Sequence, residues 1–486
     1  MRGILSCGGY IPQRRLNRMS ICEQMGWFAP AIMSVAQGEK AFCNWDEDAL
    51  TMAVAASRDC LAGTKKSEVD GVMICSTTMP FVDRLNAGIL KTALNLKDDV
   101  MAEDHSGSIR CGTSGLITAL NIVKSGERKR ILVTASDMRE TRTAYFYEMW
   151  FGDGAGSVLV GEGDVIAEFL GSYSVTHDFV DHYRGAGRKY DYMWEERWMR
   201  DEGYSKIIPQ AVKGLFGKLG ITMNDVDKFV FPCFFKAEQR SIAKALGATP
   251  DKLADNLHEV MGESGCAHAL VMLSLALENS KPGDRILLAG FGQGADALYF
   301  KVTDNILKLK EAKGRLGVTG SLAAGKTNNQ YTKYLKFRNL IQTEMGIRAE
   351  VSCQTAMTVL WRNRKMLTGL VGGKCTKCGT PQFPKMGICV NPKCLALNSQ
   401  EDYEFADIPA VIKTFTADML AVSVEPPTLY GMVQFEGGGR FMADFTDCEP
   451  LDVSVGQPVK FSFRKRYTDE GRGFTGYFWK AVPISK

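Results

Sequence analysis

The chain has 486 residues, 45% of them hydrophobic and 23% charged, with a formal net charge of +4. That length exceeds one ordinary core and predicts two or three domains, while so mild a charge gives no argument for a nucleic-acid partner. No apolar run approaches the roughly 18 residues of a membrane span, and the N-terminal apolar stretch is too short for a signal peptide, so no membrane partner and a cytoplasmic location are expected.

Of the 14 cysteines, four cluster late and ten are scattered. This suits a reducing compartment with a metal site better than a disulfide framework. Residues 3–8 read as a short buried strand. Asp46, Glu47 and Asp48 load the first turn of a helix running to about Leu61, with negative charge at the favoured end. A strand over 69–76 leads into a loop marked by Pro80, then a helix near 85–96. A polar turn beginning at His105 delivers Cys111 to the start of an apolar-periodic helix that carries Leu116, Ile117, Leu120 and Val123. A helix N-terminus favours thiolate over thiol, Gly112 leaves room for a substrate carbonyl, and amides of the turn are placed to donate to an oxyanion. A buried structural cysteine is the alternative. With the strand 130–135, the alternation predicts an α/β layer fold and a largely parallel sheet. The glycines of 152–156 enter a strand without the spacing of a dinucleotide loop, which excludes that reading.

A second passage repeats the first. Cys111 and Cys266 each precede an apolar helix, a charged turn and a strand, and each strand begins 20 residues after its cysteine, at Ile131 and Ile286. A duplicated α/β unit predicts that the loops 105–112 and 260–266 meet at equivalent ends of the fold.

Residues 1–302 resemble the hydroxymethylglutaryl-CoA synthase branch of the thiolase-fold condensing enzymes. The resemblance rests on residues 8–12 (Gly-Gly-Tyr-Ile-Pro), 46–52, Cys111-Gly-Thr-Ser-Gly115, Gly152-Asp-Gly-Ala-Gly156 and Gly290-Phe-Gly-Gln-Gly294, and Asp178 to Arg184 is similar to a further family stretch. It implies a duplicated thiolase-like layered α/β/α/β/α fold with pseudo-repeats over about 1–165 and 166–302. It also implies a homodimer, a CoA thioester substrate and an acyl intermediate on Cys111. Three positions depart from the family pattern. Thr77 stands where the family has a catalytic Glu, no histidine follows the strand at 228–231, and Glu263 replaces an Asn. Ordinary hydroxymethylglutaryl-CoA synthesis is therefore not expected.

Carbon–carbon bond chemistry on a thioester needs a base and an oxyanion site. Glu263, in the loop the repeat sets opposite Cys111, is the candidate base, against a helix-capping carboxylate. Cys233 is a candidate second thiol and His258 a candidate polarising group, each against a satisfied buried residue. Phe234, Phe235 and Tyr183 are candidates for an acyl pocket or for core.

Residues 303–366 read as a basic, partly helical connector, with eight Lys/Arg against two acids between Thr303 and Arg338. CoA phosphates or a solvated linker account for that charge. A helix over 331–346 is expected to join the domains. Within the connector, residues 320–327 match the phosphate-loop pattern but lack the preceding strand and the following helix.

Cys375, Cys378, Cys389 and Cys394 form a four-thiolate set that predicts a structural zinc within a ribbon over 367–400. Five short alternating runs then predict a small all-β OB-fold barrel over 401–486, whose mixed charge argues against nucleic acid. Residues 330–486 resemble the zinc-ribbon/OB-fold modules found beside thiolases and acyl-CoA synthases, which implies a partner thiolase or acyl-CoA enzyme. The expected function is an acyltransferase that makes or breaks a carbon–carbon bond on an acyl-CoA through acyl-Cys111. The rival is a non-catalytic acyl-CoA-binding or channelling scaffold.

Overall fold

A computed structural model describes residues 1–193, 195–346 and 356–484. It divides into two units: Met1–Cys43, Asp48–Leu90 and Lys97–Leu340 in the first, and Asn44–Glu47, Lys91–Leu96 and Ile341–Lys486 in the second.

The first unit is built on nine strands: β1 (Arg2–Tyr10), β2 (Gly71–Cys75), β3 (Met101–His105), β4 (Arg130–Asp137), β5 (Gly154–Glu162), β6 (Ala167–Thr176), β7 (Lys228–Val230), β8 (Arg285–Phe291) and β9 (Gly294–Val302). Their order across the sheet is β7-β8-β9-β6-β1-β5-β4-β2-β3. Reading inward, β2-β4-β5-β1 of one half answers β7-β8-β9-β6 of the other, and the halves join where β1 pairs β6 at Gly3↔Glu168 and Ile4↔Ala167. The duplication inferred from the two cysteine passages is therefore present in the topology.

Strand direction differs from the expectation. Only β2/β3, β2/β4 and β7/β8 are parallel, whereas β1/β5, β1/β6, β4/β5, β6/β9 and β8/β9 run antiparallel. For β8/β9 the reason is connection length: only Gly292 and Gln293 separate the strands, and so short a link permits a hairpin but no crossover.

Four helices complete the layers: α1 (Ala49–Cys60), α2 (Cys111–Ser125), α3 (Ser205–Leu219) and α4 (His268–Glu278). Helix α1 packs on β1, β4 and β5, and α3 packs on β6, β8 and β9. Helices α2 and α4 touch strands of both halves and each other, and so form the central layer. Helix α4 is accordingly buried nearly all round, from His268 through Ser274 and again at Ala276 and Leu277, as its largely apolar sequence requires.

Three further expectations change. Asp48 caps α1 by accepting from the Thr51 amide at 2.9 Å, but Asp46 and Glu47 stay outside the helix. Asp46, fully buried, belongs to the second unit and accepts there from Lys480 at 2.9 Å and Arg464 at 3.3 Å. Residues 303–340 are no free connector but part of the first unit, with Tyr331, Tyr334 and Leu335 in a core cluster. Three of their basic groups form ion pairs: Arg315–Glu278 at 2.6 Å, Lys308–Asp164 at 3.0 Å, and the buried Arg338–Asp153 pair. The predicted helix over 331–346 is only Tyr331–Phe337, and the phosphate-loop match falls on the helix Gly317–Ala323 and the strand Lys326–Asn328. Residues 347–355 of the expected connector lie outside the described residues.

In the second unit, β10 (Val371–Cys375) pairs with Pro381–Gln382 and Gln400–Glu404. Five antiparallel strands follow, Ala410–Asp418, Thr428–Phe435, Arg440–Asp444, Pro458–Asp469 and Phe474–Pro483, each overlapping one of the five runs read from sequence. Phe435, Phe461, Phe463 and Trp479 fill their core. Among the described residues no helix is long and apolar enough to cross a membrane.

The central layer approaches β5 without side-chain spacing. A Cβ on Gly156 would lie 2.6 Å from the Val271 amide nitrogen and 2.7 Å from the Leu270 carbonyl carbon. Because α4 backbone cannot yield as a flexible side chain would, Gly156→Ala is expected to cost about 2–3 kcal/mol or more, read as a lowered midpoint in chemical denaturation.

Candidate active site

Cys111 is the first residue of the 15-residue helix α2, so its sulfur lies at the positive end of the helix dipole. Its amide donates to the Ser108 carbonyl at 3.0 Å. Two hydrogen bonds to the Gly292 carbonyl, from Ser108 Oγ at 2.7 Å and Arg110 Nε at 3.0 Å, hold the turn against the β8–β9 hairpin. Arg110, Thr113 and Ser114 also converge on the buried Asp296 carboxylate at 2.7–2.9 Å.

The loops of the two repeats meet, as the duplication predicts. The Cys266 S–H reaches the Cys75 carbonyl at 3.2 Å. Burial first, then the neighbouring Cys111, raises the Cys266 thiol well above its ordinary range; burial and the Cys111 charge do the same for Cys75. Gly112 has a different role from the one expected. Its missing Cβ would stand 2.4 Å from the Cys266 carbonyl oxygen, so the glycine admits the opposing backbone rather than a substrate.

Asp137, at the end of β4, is fully buried and organises the loops around these sulfurs. Its Oδ1 accepts from Ser76 Oγ, the Thr77 amide and Thr78 Oγ1 at 3.0, 2.7 and 3.0 Å. Its Oδ2 accepts from Thr77 Oγ1 at 3.0 Å and the Cys266 amide at 2.9 Å. Thr77, where the resembled family carries Glu, is thus a donor committed to a buried carboxylate.

Beside the cysteine turn lies a small cavity of about 30 Å³, lined by Ile109, Arg139, Tyr147, Phe151, Asp181, His182, Met199, Tyr204, Pro232, Cys233, Phe234, Glu263 and Phe291. The volume exceeds the roughly 10–15 Å³ that one water needs. Ile109 brings the cysteine turn to the wall; Cys111 itself is not among the lining residues.

Of the other residues singled out in the sequence, the cavity gathers three. Glu263 lies in the wall, where one oxygen accepts from Arg139 at 2.7 Å and the other from the Gly265 amide at 2.8 Å, so both oxygens are hydrogen-bonded within the protein. Cys233 is also there. Burial pushes its thiol up to about 12, and it donates to the Phe235 carbonyl at 3.4 Å, so it is a neutral thiol at physiological pH. His258 is outside the wall. Burial, then the Arg18 charge, lowers its imidazole well below the ordinary range, and Nδ1 has no hydrogen-bond partner among the described residues. Phe234 lines the cavity, whereas Phe235 and Tyr183 do not.

Sequence reasoning missed Arg139, Asp181, Asp191 and Tyr204. Arg139 lies over the Phe151 ring at 3.7 Å and pairs with Asp191 at 2.9 Å as well as with Glu263. Burial alone would raise the Asp191 carboxyl, but the Arg139 charge, helped by His182 and Arg184, holds it below the usual range. No spacing rule joins an arginine after β4 to acids at 191 and 263. The Asp-His dipeptide at 181–182 was the one local signal available.

In the second unit the four ribbon cysteines converge, with all Sγ atoms within 4.8 Å of one another. Cys375 and Cys394 are 3.9 Å apart, and Cys378 and Cys389 are 3.5 Å apart. Tetrahedral Zn–S bonds of about 2.3 Å place sulfurs about 3.8 Å apart, so the set fits zinc and leaves no open position. Turns closed by Gly379 N–H to the Cys375 carbonyl at 2.8 Å and by Cys394 N–H to the Asn391 carbonyl at 2.9 Å supply the two knuckles.

Three family descriptions match the chain: "3-Oxoacyl-[acyl-carrier-protein (ACP)] synthase III C terminal" over residues 216–299, "ChsH2, rubredoxin-like zinc ribbon domain" over 369–398, and "ChsH2, C-terminal OB-fold domain" over 407–464. The hydroxymethylglutaryl-CoA synthase of Caldivirga maquilingensis is 31% identical over 351 residues, spanning 71% of this chain and 99% of the relative. That of Methanocaldococcus jannaschii is 30% identical over 351 residues, spanning 70% of this chain and 100% of the relative. Among solved structures, an HMG-CoA synthase complexed with CoA superposes with a TM-score of 0.62 at 18% identity, covering 73% of this chain and 95% of the other. OleA from Xanthomonas campestris superposes with a TM-score of 0.55 at 17% identity, covering 62% and 96%. These structural likenesses establish the thiolase-like fold of the first unit.

Arg139→Met would leave Glu263 without a cation and Asp191 with Arg184 alone. We expect a loss of about 3–5 kcal/mol at neutral pH, measured by chemical denaturation. Asp191 contributes stability that is present above its unfolded pKa of about 3.9 and lost as pH falls through its lower folded value. The gap between wild type and variant should therefore narrow as pH drops below about 4.

Proposed function

Because the chain belongs to the hydroxymethylglutaryl-CoA synthase family, we propose that it makes or breaks a carbon–carbon bond on an acyl-CoA through a thioester on Cys111. The observation that carries this reading is the setting of that sulfur. It opens a 15-residue helix in the central layer, at the positive end of that helix's dipole, and the opposing Cys266 backbone packs against the next residue, Gly112. Attack of the thiolate on an acyl-CoA carbonyl forms the new C–S bond as the CoA thiolate leaves, which keeps the carbonyl activated for the next step.

A second reading has its own support. Thr77 and Glu263 are both committed to internal partners, as expected of a scaffold that binds acyl-CoA without turning it over. Intact mass spectrometry after incubation with acetyl-, propionyl- and butyryl-CoA separates the two. The enzyme reading expects a single acyl adduct that is absent from Cys111→Ala; no adduct with any donor would leave the scaffold reading.

We propose further that Cys375, Cys378, Cys389 and Cys394 hold one structural zinc. Bound there, the metal would cross-link the two knuckles of a ribbon that has little core of its own. Elemental analysis should find one zinc per chain. Cys375→Ser should lose it and lower the unfolding temperature of the protein, while a metal-free wild type of unchanged stability would refute the assignment.

A further inference from the structure

The acyl-Cys111 reading leaves a proton to be moved, and the residues that sequence analysis nominated for it are occupied or elsewhere. The cavity wall contains seven ionisable side chains: Arg139, Tyr147, Asp181, His182, Tyr204, Cys233 and Glu263. Arg139 and Glu263 neutralise each other, and the Cys233 thiol is tied to a carbonyl. Burial raises both Tyr147 and Tyr204, making them phenols that donate rather than bases. Asp181 is buried, and its Oδ1 is sealed from solvent without a hydrogen-bond partner among the described residues.

His182 is different. Its Nδ1 lies 2.8 Å from Asp181 Oδ2, so the N–H is on Nδ1 and the Nε2 lone pair is free. Among the described residues no protein group bonds Nε2, and the ring is part of the cavity wall. The imidazole is also held in place. Asp181 N–H donates to the Phe179 carbonyl at 3.0 Å, and His182 pairs with Met193 in a short antiparallel ladder. The next carboxylate, Asp191, is bound by Arg139 and Arg184.

We propose that His182, oriented by Asp181, is the proton-transfer residue of this site, acting on the α-carbon of an acyl-CoA; the proposal rests on the acyl-Cys111 reading. Nε2 takes the α-proton as the C–H bond breaks. The enolate carbon attacks the carbonyl carbon of the acyl group on Cys111, and a carbon–carbon bond forms as the acyl C–S bond breaks. The Cys111 thiolate leaves and recovers the proton from the His182 imidazolium, so protons and electron pairs balance. Asp181 is a positioning residue: it fixes the tautomer and stabilises the imidazolium without touching substrate.

The test uses the full chain with acetyl-CoA in D₂O and two readouts: acetylation of Cys111 by intact mass, and deuterium entering the methyl group of recovered acetyl-CoA. His182→Gln should load Cys111 within about threefold of wild type, while exchange falls by about 100-fold or more. Asp181→Asn should likewise slow exchange while Cys111 still loads, a split between the two readouts that a merely structural role would not produce. Exchange at the wild-type rate in His182→Gln would overturn the assignment, as would loading and exchange falling together. Wild-type exchange without loading would overturn the acyl-Cys111 reading and leave His182 as the base. Neither loading nor exchange would overturn both.

Discussion

Two buried carboxylates, each contributed by one half of the first unit, bind the cysteine loop of the other half. Asp137 closes β4 in the first half and accepts from the Cys266 amide; Asp296, on β9 in the second, accepts from Arg110, Thr113 and Ser114 beside Cys111. A carboxylate stripped of water is costly unless donors replace the lost hydration. Each Asp therefore requires the opposing loop to arrive with its hydrogen-bond donors aimed inward. That requirement sets where α2 and α4 begin, and hence where Cys111 and Cys266 stand relative to each other. It also accounts for the backbone approach at Gly112, since two loops pulled onto facing acids leave no room for a Cβ between them.

The same principle sorts the polar groups around the site into fixed and free. Arg139 could not be buried beside aromatic rings without compensation, and Asp191 and Glu263 supply it. Glu263 is consequently part of the frame, although its position in the loop opposite Cys111 had suggested a base. Thr77 is likewise frame, because Asp137 needs its amide and hydroxyl. Chemistry that calls for an uncommitted group has to draw on what the frame does not consume, and that remainder is the imidazole at 182.

Much of the molecule was legible because it is written in local pattern. A cysteine, an apolar helix and a strand 20 residues on, twice over, gave the duplication and the meeting of the loops. Four cysteines at ribbon spacing gave the metal cluster, and alternation gave all five strands after it. The failures have one physical origin: the partner lies far away in sequence. Asp46 looked like helix charge, yet its cations are at 464 and 480. The basic residues from 303 to 340 looked unpartnered, yet Glu278, Asp164 and Asp153 pair with three of them. Strand direction was misjudged for a related reason, since periodicity reports which face is buried and carries no record of which way the chain runs.

Three thiols near the meeting point raise the question of why one of them should be the nucleophile. Cys75 ends a strand, and Cys266 lies in the turn Gly265–Ala267 that leads into α4, whose first residue is His268. Cys111 is itself the first residue of α2. The cluster is also self-limiting: charge on Cys111 disfavours charge on Cys75 and on Cys266, in addition to what burial already imposes. The other two sulfurs pack around the start of α2: the missing Cβ of Gly115 would stand 2.6 Å from the Cys75 sulfur, and the Cys266 S–H reaches the Cys75 carbonyl at 3.2 Å.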